Sequence, residues 1–324
     1  MEKHQHTLKK QVSFRGIGLH SGKPVTLTVK PAEEDHGIRF KTAGQKSSMP
    51  AFMDRVVDTS LATTIAEKDM IFSTTEHLMA ALAGLGIDNA IVELDGSEVP
   101  IMDGSAGPFV HIFNKANRKR QKSLRRILKI TKPITYTQDD KSVTIEPYNG
   151  LKLTCEIDFK HKSIKKQKYT IEISPERFAK EIASARTFGF IDQVEQLKAN
   201  GYALGGSLDN AVVIDSDGVI NQDGLRFTDE FVRHKVLDLL GDLALLGSSV
   251  MGHVIAKRSG HSQHLGLLKE IAANPDCWQI IEYEEHGEVV LERHAKQVQE
   301  NGVSLFPSWL QPVPLVNGRC LSPA

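Results

Sequence analysis

Cysteine is scarce in this 324-residue chain: Cys155, Cys277 and Cys320 are far apart and odd in number. That argues against a disulfide framework and fits a reducing compartment. No apolar run reaches the roughly 18 residues a membrane-spanning helix needs. The first residues, 1–7, are polar and lack the apolar core of a secretory signal. Net charge is missing too, because 40 Lys and Arg balance 40 Asp and Glu. Overall charge therefore proposes no polyanionic partner. The chain reads as a cytoplasmic globular protein of about two domains.

What is present centres on residues 231–243. Val232, Val236, Leu239, Leu240, Leu243 and Leu246 fall at the spacing of a buried helix face. Thr228 is placed to cap the start, with Asp229 and Glu230 in the first turn. A polar set shares the spacing: His234, Asp238 and Asp242 are four apart and stack along one side. Imidazole and carboxylate one turn apart suit a zinc ion. Taken alone, the same spacing also fits a solvated helix face.

In chain order, residues 7–12, 25–29 and 38–41 alternate as strands do. Gly18-Leu19-His20-Ser21-Gly22 sets a histidine among glycines, where backbone can come close to a ligand. Residues 52–72 read as a small subsheet. Ser73 with Glu76 three residues on fits a capping box ahead of an Ala-rich helix. Glu76 is thus either a cap or, with His77, a group facing a metal. Residues 115–129 hold eight Lys and Arg, and this composition shift marks a linker. Strands follow at 126–132, 142–146, 151–159 and 169–173, with helices at 175–182 and 193–200. Residues 257–264 read as a loop and 265–273 as a helix. His77 lies nine residues before Gly86, and Asp238 nine before Gly247, each ahead of a strand. Two such halves packed about a pseudo-twofold would set His77 opposite Asp238.

Six short motifs occur in a fixed order: Gly18-Leu19-His20-Ser21-Gly22; Thr75-Glu76-His77 with Asp88-Asn89; Val99-Pro100-Ile101-Met102-Asp103-Gly104-Ser105-Ala106; Ala185-Arg186-Thr187-Phe188-Gly189-Phe190; Arg233-His234-Lys235 with Asp238; and Ser259-Gly260-His261. The ordered set closely resembles the UDP-3-O-acyl-N-acetylglucosamine deacetylases, zinc enzymes of lipid A synthesis. The resemblance runs from about residue 5 to about residue 294. It implies an α+β fold of two similar two-layer domains in a β-α-α-β sandwich. The expected domains are 1–120, with a subsheet inserted near 55–72, and 121–295, with a βαβ insert near 191–213. Residues 296–324 form a Pro-rich tail that the resemblance does not cover.

The resemblance also implies roles. His77, His234 and Asp238 would bind Zn²⁺, leaving a position open for water. Glu76 would take the water's proton, and charged His261 would stabilise the oxyanion and donate to the leaving amine. Asp242 would orient His261 and raise its pKa, and Thr187 would donate to the oxyanion. Lys235 would meet the diphosphate, Phe188 and Phe190 would cover the sugar and nucleotide, and His20 would border the nucleotide pocket. Ile191 and Leu197, with Val194 and Ala203, would wall a passage for the acyl chain, and Gly206 and Ser207 would bind substrate beside it. Asp103 reads as structural. The expected partner is the small-molecule substrate, met by a monomer without nucleic acid. Two alternatives stay open at this stage: a zinc hydrolase of another amide or ester, and a nucleic-acid binder using residues 115–129.

Overall fold

The computed structural model describes residues 2–284 and 287–290; the expected tail lies outside them. The fold is α+β. Its first sheet has five strands in the order Val12–Ile17, Pro24–Pro31, Ala90–Leu94, Ile38–Thr42 and Met49–Pro50. Alternation builds it: Val25, Leu27 and Val29 point inward while Thr26 and Thr28 between them stay half-exposed. The second sheet has eight strands. At its centre Ser249–Lys257 pairs with Lys141–Glu146 on one side and runs parallel to Ile127–Ile130 and to Leu151–Asp158.

Six helices complete the described chain: α1 Glu76–Gly84, α2 Gly107–Ala116, α3 Pro175–Glu181, α4 Ile191–Ala199, α5 Glu230–Leu243 and α6 His261–Ala273. Helix α2 packs on the first sheet, with the Phe14 ring edge-on to Phe109 at 5.0 Å. Helix α5 packs on Leu151–Asp158 and Lys166–Glu172, and α6 on Ile134–Gln138 and Lys141–Glu146. Helix α1 touches α2 on one side and α5 on the other. Helices α1, α2, α5 and α6 therefore lie between the two sheets, as the sandwich expectation has it. Both inserts are present. Val56–Asp58, Thr64–Glu67 and Met70–Phe72 form an antiparallel subsheet; Phe188–Phe190 runs parallel to Val212–Ile214, with α4 between them.

Several local expectations change. Residues 7–12 are not one strand: the chain turns at exposed Lys9 and Lys10, so His4–Leu8 and Val12–Ile17 enter different sheets. The basic run is an ordered strand, not a free connector, because Arg118–Leu124 pairs antiparallel with His4–Leu8. Much of its charge is used internally. Arg125 pairs with Asp88 at 2.7 Å, Arg118 with Glu2 at 2.9 Å and Lys129 with Glu288 at 2.6 Å. Helix α5 begins at Glu230 without a Thr228 cap; the buried Glu230 carboxylate instead accepts from the Arg226 and Arg186 backbone N–H groups. Helix α6 begins at His261, four residues early, because the Gln263 side chain reaches back to the Gly260 N–H at 3.0 Å.

Gly241 sets the distance between α1 and α5. A methyl group added there would sit 2.1 Å from the Glu76 carbonyl oxygen and 2.8 Å from its carbon. Both are backbone atoms and cannot swing away. Gly241→Val is therefore expected to force α1 off α5, at a cost of about 1–3 kcal/mol or more. Chemical denaturation with a parallel activity assay checks it. The loss of turnover should exceed that of an equally destabilised core variant such as Ile271→Ala, because only Gly241 sets the position of Glu76 and His77.

Candidate active site

Helix α5 carries His234, Asp238 and Asp242 along one face, each only 2% exposed. The start of α1 lies against that face and brings in Glu76 and His77. The His77 Nε2 is 3.7 Å from Asp238 Oδ1, and the His234 Nε2 is 3.4 Å from the same oxygen. The two rings meet edge to face at 5.0 Å. His77 and Asp238, set opposite each other in the sequence expectation, lie side by side. The His234 Nδ1–H donates to the Ala185 carbonyl at 3.1 Å, which turns the Nε2 lone pair toward Asp238.

This donor set fits a divalent metal ion. Asp238 Oδ1 is buried without a hydrogen-bond partner, although two imidazole nitrogens lie close to it. The ligand atoms of His77, His234 and Asp238 all lie within 4.8 Å of one another. Their protonation suits a cation as well. Burial, with His234 beside it, pushes His77 down to about 3, and burial lowers His234. Burial opposes ionisation of Asp238, but His234, Lys235, His261 and His77 together hold it well below the usual carboxylate range. Two neutral imidazoles and one carboxylate result.

A second group of side chains stands beside the first. Glu76 is not a helix cap. The Ser73 N–H donates to Ser97, the Ser73 hydroxyl accepts from Thr64, and the Glu76 carboxylate accepts from the Thr63 N–H at 3.0 Å. Burial raises Glu76 to about 7, with Asp238 and Asp242 adding to the effect and His261 opposing it. The His261 Nε2 is 3.9 Å from Glu76 Oε1, and its Nδ1 donates to Asp242 Oδ2 at 2.7 Å. Burial alone would lower His261, but Asp242, Glu76 and Asp238 outweigh it and raise the ring to about 10. The counterpart is Asp242, held at about 2: burial works against its charge, and His261 and His264 overcome that. A proton acceptor that titrates near neutrality thus faces an imidazolium across a short gap.

The other candidates spread around this centre. Lys235 donates to Asp238 Oδ2 at 2.8 Å, and its ammonium sits 5.5 Å above the Phe188 ring. Phe188 lies beside His234, whereas Phe190 packs on Phe159 and His161, further out on the insert. Thr187 is held through its backbone by Gly104 and Val212, two residues from the Ala185 carbonyl that orients His234. His20 belongs to a separate junction. Its loop is held by the Glu98 carboxylate, which accepts from the His20 and Ser21 N–H groups at 2.8 Å. Residues 203–207 dock on that loop, with the Ala203 N–H directed at His20 Nδ1. Gly206 and Ser207 form the turn there, bonded to Ala203 and Asn210. Ile191 and Leu197 lie on α4, which buries no side chain. Asp103 is structural as expected: it binds Ser105 and Arg226. Asp88 and Asn89 are structural too, through Arg125, Gln5 and Gln121.

Sequence reading missed His264. Its Nδ1 also lies 2.7 Å from Asp242 Oδ2, and the ring is buried. The Gly260-to-Gln263 spacing was the available signal, since an earlier start for α6 puts His261 and His264 on one face.

Two neutral imidazoles, a carboxylate with an unpartnered oxygen, and an adjacent acid–base pair make up the equipment of a metal-dependent hydrolase. Comparison with known proteins gives the class a family. Residues 5–273 match the family described as LpxC, UDP-3-O-acyl N-acetylglycosamine deacetylase. The chain is 50% identical over 281 residues to the UDP-3-O-acyl-N-acetylglucosamine deacetylase of Syntrophotalea carbinolica, covering 86% of this chain and 91% of that one. It is 47% identical to the Myxococcus xanthus enzyme of that name, covering 86% and 89%, and 46% identical to the Teredinibacter turnerae enzyme, covering 87% and 94%. The chain belongs to the UDP-3-O-acyl-N-acetylglucosamine deacetylase family.

Proposed function

We propose that this protein removes the N-acetyl group from UDP-3-O-(3-hydroxyacyl)-N-acetylglucosamine. The products are UDP-3-O-(3-hydroxyacyl)-glucosamine and acetate, the committed step of lipid A biosynthesis. The observation that carries the reading is the convergence of His77, His234 and Asp238 with Glu76 and His261 in one buried site of a chain from this family. His77, His234 and Asp238 would hold Zn²⁺, which supplies Lewis acidity toward the acetyl carbonyl and the attacking water.

The remaining chemistry belongs to the side chains. Glu76 accepts a proton from the water as its oxygen bonds to the carbonyl carbon. His261, positively charged, faces the oxygen that gains charge and then gives its Nε2 proton to the amine as the C–N bond breaks. Asp242 holds the other ring nitrogen, so the proton that leaves is the one that points at the substrate. Thr187 donates to the oxyanion. Lys235, whose ammonium lies beside Asp238, is the cation for the diphosphate. Phe188 and Phe190 cover the sugar and nucleotide side, His20 borders the nucleotide pocket, and Gly206 and Ser207 bind substrate beside the acyl passage. Among the described residues no helix is long and apolar enough to cross a membrane. The reading places the enzyme in the cytoplasm, as a monomer.

The test is direct. The purified protein, incubated with the acylated UDP sugar, is expected to release acetate and a free amine in equal amounts. A zinc chelator should stop it, and added zinc should restore it. A zinc-loaded, folded protein without turnover on that substrate would leave a hydrolase of another amide or ester.

The acyl chain has a candidate seat on the second insert. Helix α4 buries no side chain, and Ile191 and Leu204 are 44% and 51% exposed. Apolar groups left uncovered in this way favour a wall for a fatty chain over an anchor for the insert. Burial contributes about 0.8 kcal/mol per methylene in the transfer limit, partly offset by ordering the chain. UDP-N-acetylglucosamine without the acyl group is therefore expected to be a very poor substrate. Leu197→Asp should lower kcat/KM for long-chain substrates selectively, with zinc content intact. Equal efficiencies on acylated and unacylated sugars in the unaltered enzyme would rule the passage out.

A further inference from the structure

We propose that His264 is a positioning residue of this site: it shares one oxygen of Asp242 with His261, and this clamp fixes the orientation and basicity of the His261 ring. The proposal rests on the deacetylase reading above. Asp242 Oδ2 lies 2.7 Å from the Nδ1 of His261 and 2.7 Å from the Nδ1 of His264. A carboxylate can only accept, so each ring must present an Nδ1–H to it. The other oxygen, Oδ1, accepts from the Thr63 hydroxyl at 2.6 Å. Three donors from two other segments of the chain therefore pin a carboxylate that is 2% exposed.

The His264 ring is itself held at its far end. Its Nε2 lies 3.0 Å from the Ser259 hydroxyl, which can donate to it. The two imidazoles stand nearly perpendicular, at 85°, with centroids 6.1 Å apart. They occupy the first and fourth positions of α6, so one turn of helix places both on the same acceptor. Although Asp242, His261 and His264 cluster as metal ligands can, the facing nitrogens are committed to the carboxylate as donors. The cluster is a hydrogen-bonded clamp.

The clamp has two consequences. The first is geometric: His261 lies at a helix N-terminus and is 12% exposed at its side chain, so it depends on Asp242 for its direction toward Glu76. A carboxylate held by His261 alone could rotate with it. The second is electrostatic. A positive ring at a helix N-terminus is disfavoured by the helix dipole, so its charge depends on nearby carboxylates. Glu76, His77, His234 and Asp238 also face His261, but only Asp242 bonds it. A hydrogen bond from His264 stabilises the carboxylate and weakens its pull on His261. His264 thus keeps the His261 proton transferable.

The experiment uses the full-length zinc-loaded enzyme with His264→Phe and His264→Asn, reading kcat, KM, the pH profile and zinc content, alongside imidazole NMR. Phenylalanine fills the space without a donor, whereas asparagine restores one. His264→Phe is expected to lower kcat on the order of tenfold, to leave KM within about twofold, and to move the basic limb upward. His264→Asn should return both toward the starting enzyme. In the unaltered protein, NMR should show two carboxylate-bonded Nδ1 protons, from His261 and His264, and Asp242→Asn should abolish both. That measurement stands if His264→Phe fails to fold. An unchanged basic limb and kcat in a folded His264→Phe, equal losses in both variants, or the absence of a carboxylate-bonded His264 proton would overturn the proposal. Should His261→Ala and Asp242→Asn lose turnover while both His264 variants match wild type, the deacetylase reading survives and the role of His264 does not. Absence of deacetylation by the unaltered enzyme would instead count against that reading, and the NMR result would still decide the clamp.

Discussion

Alanine at Glu76 or at His261 is expected to leave the metal content unchanged and to lower turnover by on the order of 10²- to 10⁴-fold. Neither side chain belongs to the set that converges on Asp238 Oδ1. Glu76 points its carboxylate at the Thr63 N–H and at His261, and His261 points at Asp242 and at Glu76. Removing either therefore removes proton transfer and leaves the cation's donors in place. The two losses should not add: without the acceptor the donor has no developing charge to meet, so the double variant should be little worse than the poorer single one. Metal analysis, kcat and kcat/KM on the three variants check this. Near-normal turnover in either single variant would remove that residue from the mechanism.

The pH profile gives the same prediction a sign. Glu76 must be ionised to accept a proton, so activity rises with pH through its pKa, which burial lifts to about 7. His261 must be charged, so activity falls as pH rises through its pKa, which the carboxylates around it lift to about 10. Both limbs sit lower with a cation bound, because positive charge favours the carboxylate and disfavours the imidazolium. Asp242→Asn removes the carboxylate that most raises His261. The basic limb should then move down in pH while the acid limb moves little. An immobile basic limb would mean that another group sets it.

The α+β architecture and the central helix were legible because they rest on local patterns: alternation in residues 24–31 and the three-to-four spacing of apolar residues in α5. The convergence of His77 with Asp238 was legible only through an internal echo and a resemblance, since 161 residues separate them in sequence. What stayed hidden depends on tertiary partners. The Ser73–Glu76 spacing is that of a capping box, but the Ser73 amide and hydroxyl are taken by Ser97 and Thr64. The basic composition of 115–129 suggested a solvated connector, yet its backbone has a strand partner in His4–Leu8 and Arg125 has one in Asp88. Lys235, expected at a diphosphate, also pairs with Asp238 one turn along the same helix. His264 escaped notice because its function lies in an acceptor 22 residues away that His261 already claimed.

His234→Ala and Asp238→Ala are both expected to lose metal and activity together, but they should differ in stability, and the difference tests the site's electrostatics. His234 is neutral in the folded protein, held there by burial, so its removal leaves no charge behind. Asp238 is ionised and paired at 2.8 Å with Lys235, whose side chain is 25% exposed. Removing the carboxylate strands that ammonium in a largely buried place. A fully buried orphan of this kind costs about 3–5 kcal/mol, and partial exposure of the ammonium reduces that figure. Asp238→Ala should therefore unfold at lower temperature than His234→Ala when both are measured without metal. Saturating zinc should raise the melting temperature of the unaltered enzyme, since binding only the folded state stabilises it by RT ln(1 + [L]/Kd). The same addition should leave both variants where they were. Double replacement with Lys235→Met and Asp238→Leu should recover the stability lost in Asp238→Ala without recovering metal or turnover, because it removes both charges and fills the space. Retention of stoichiometric zinc by both His234→Ala and Asp238→Ala would place the metal elsewhere. Equal melting temperatures of the two metal-free variants would mean that Asp238 carries no structural charge pairing beyond its share of the metal site.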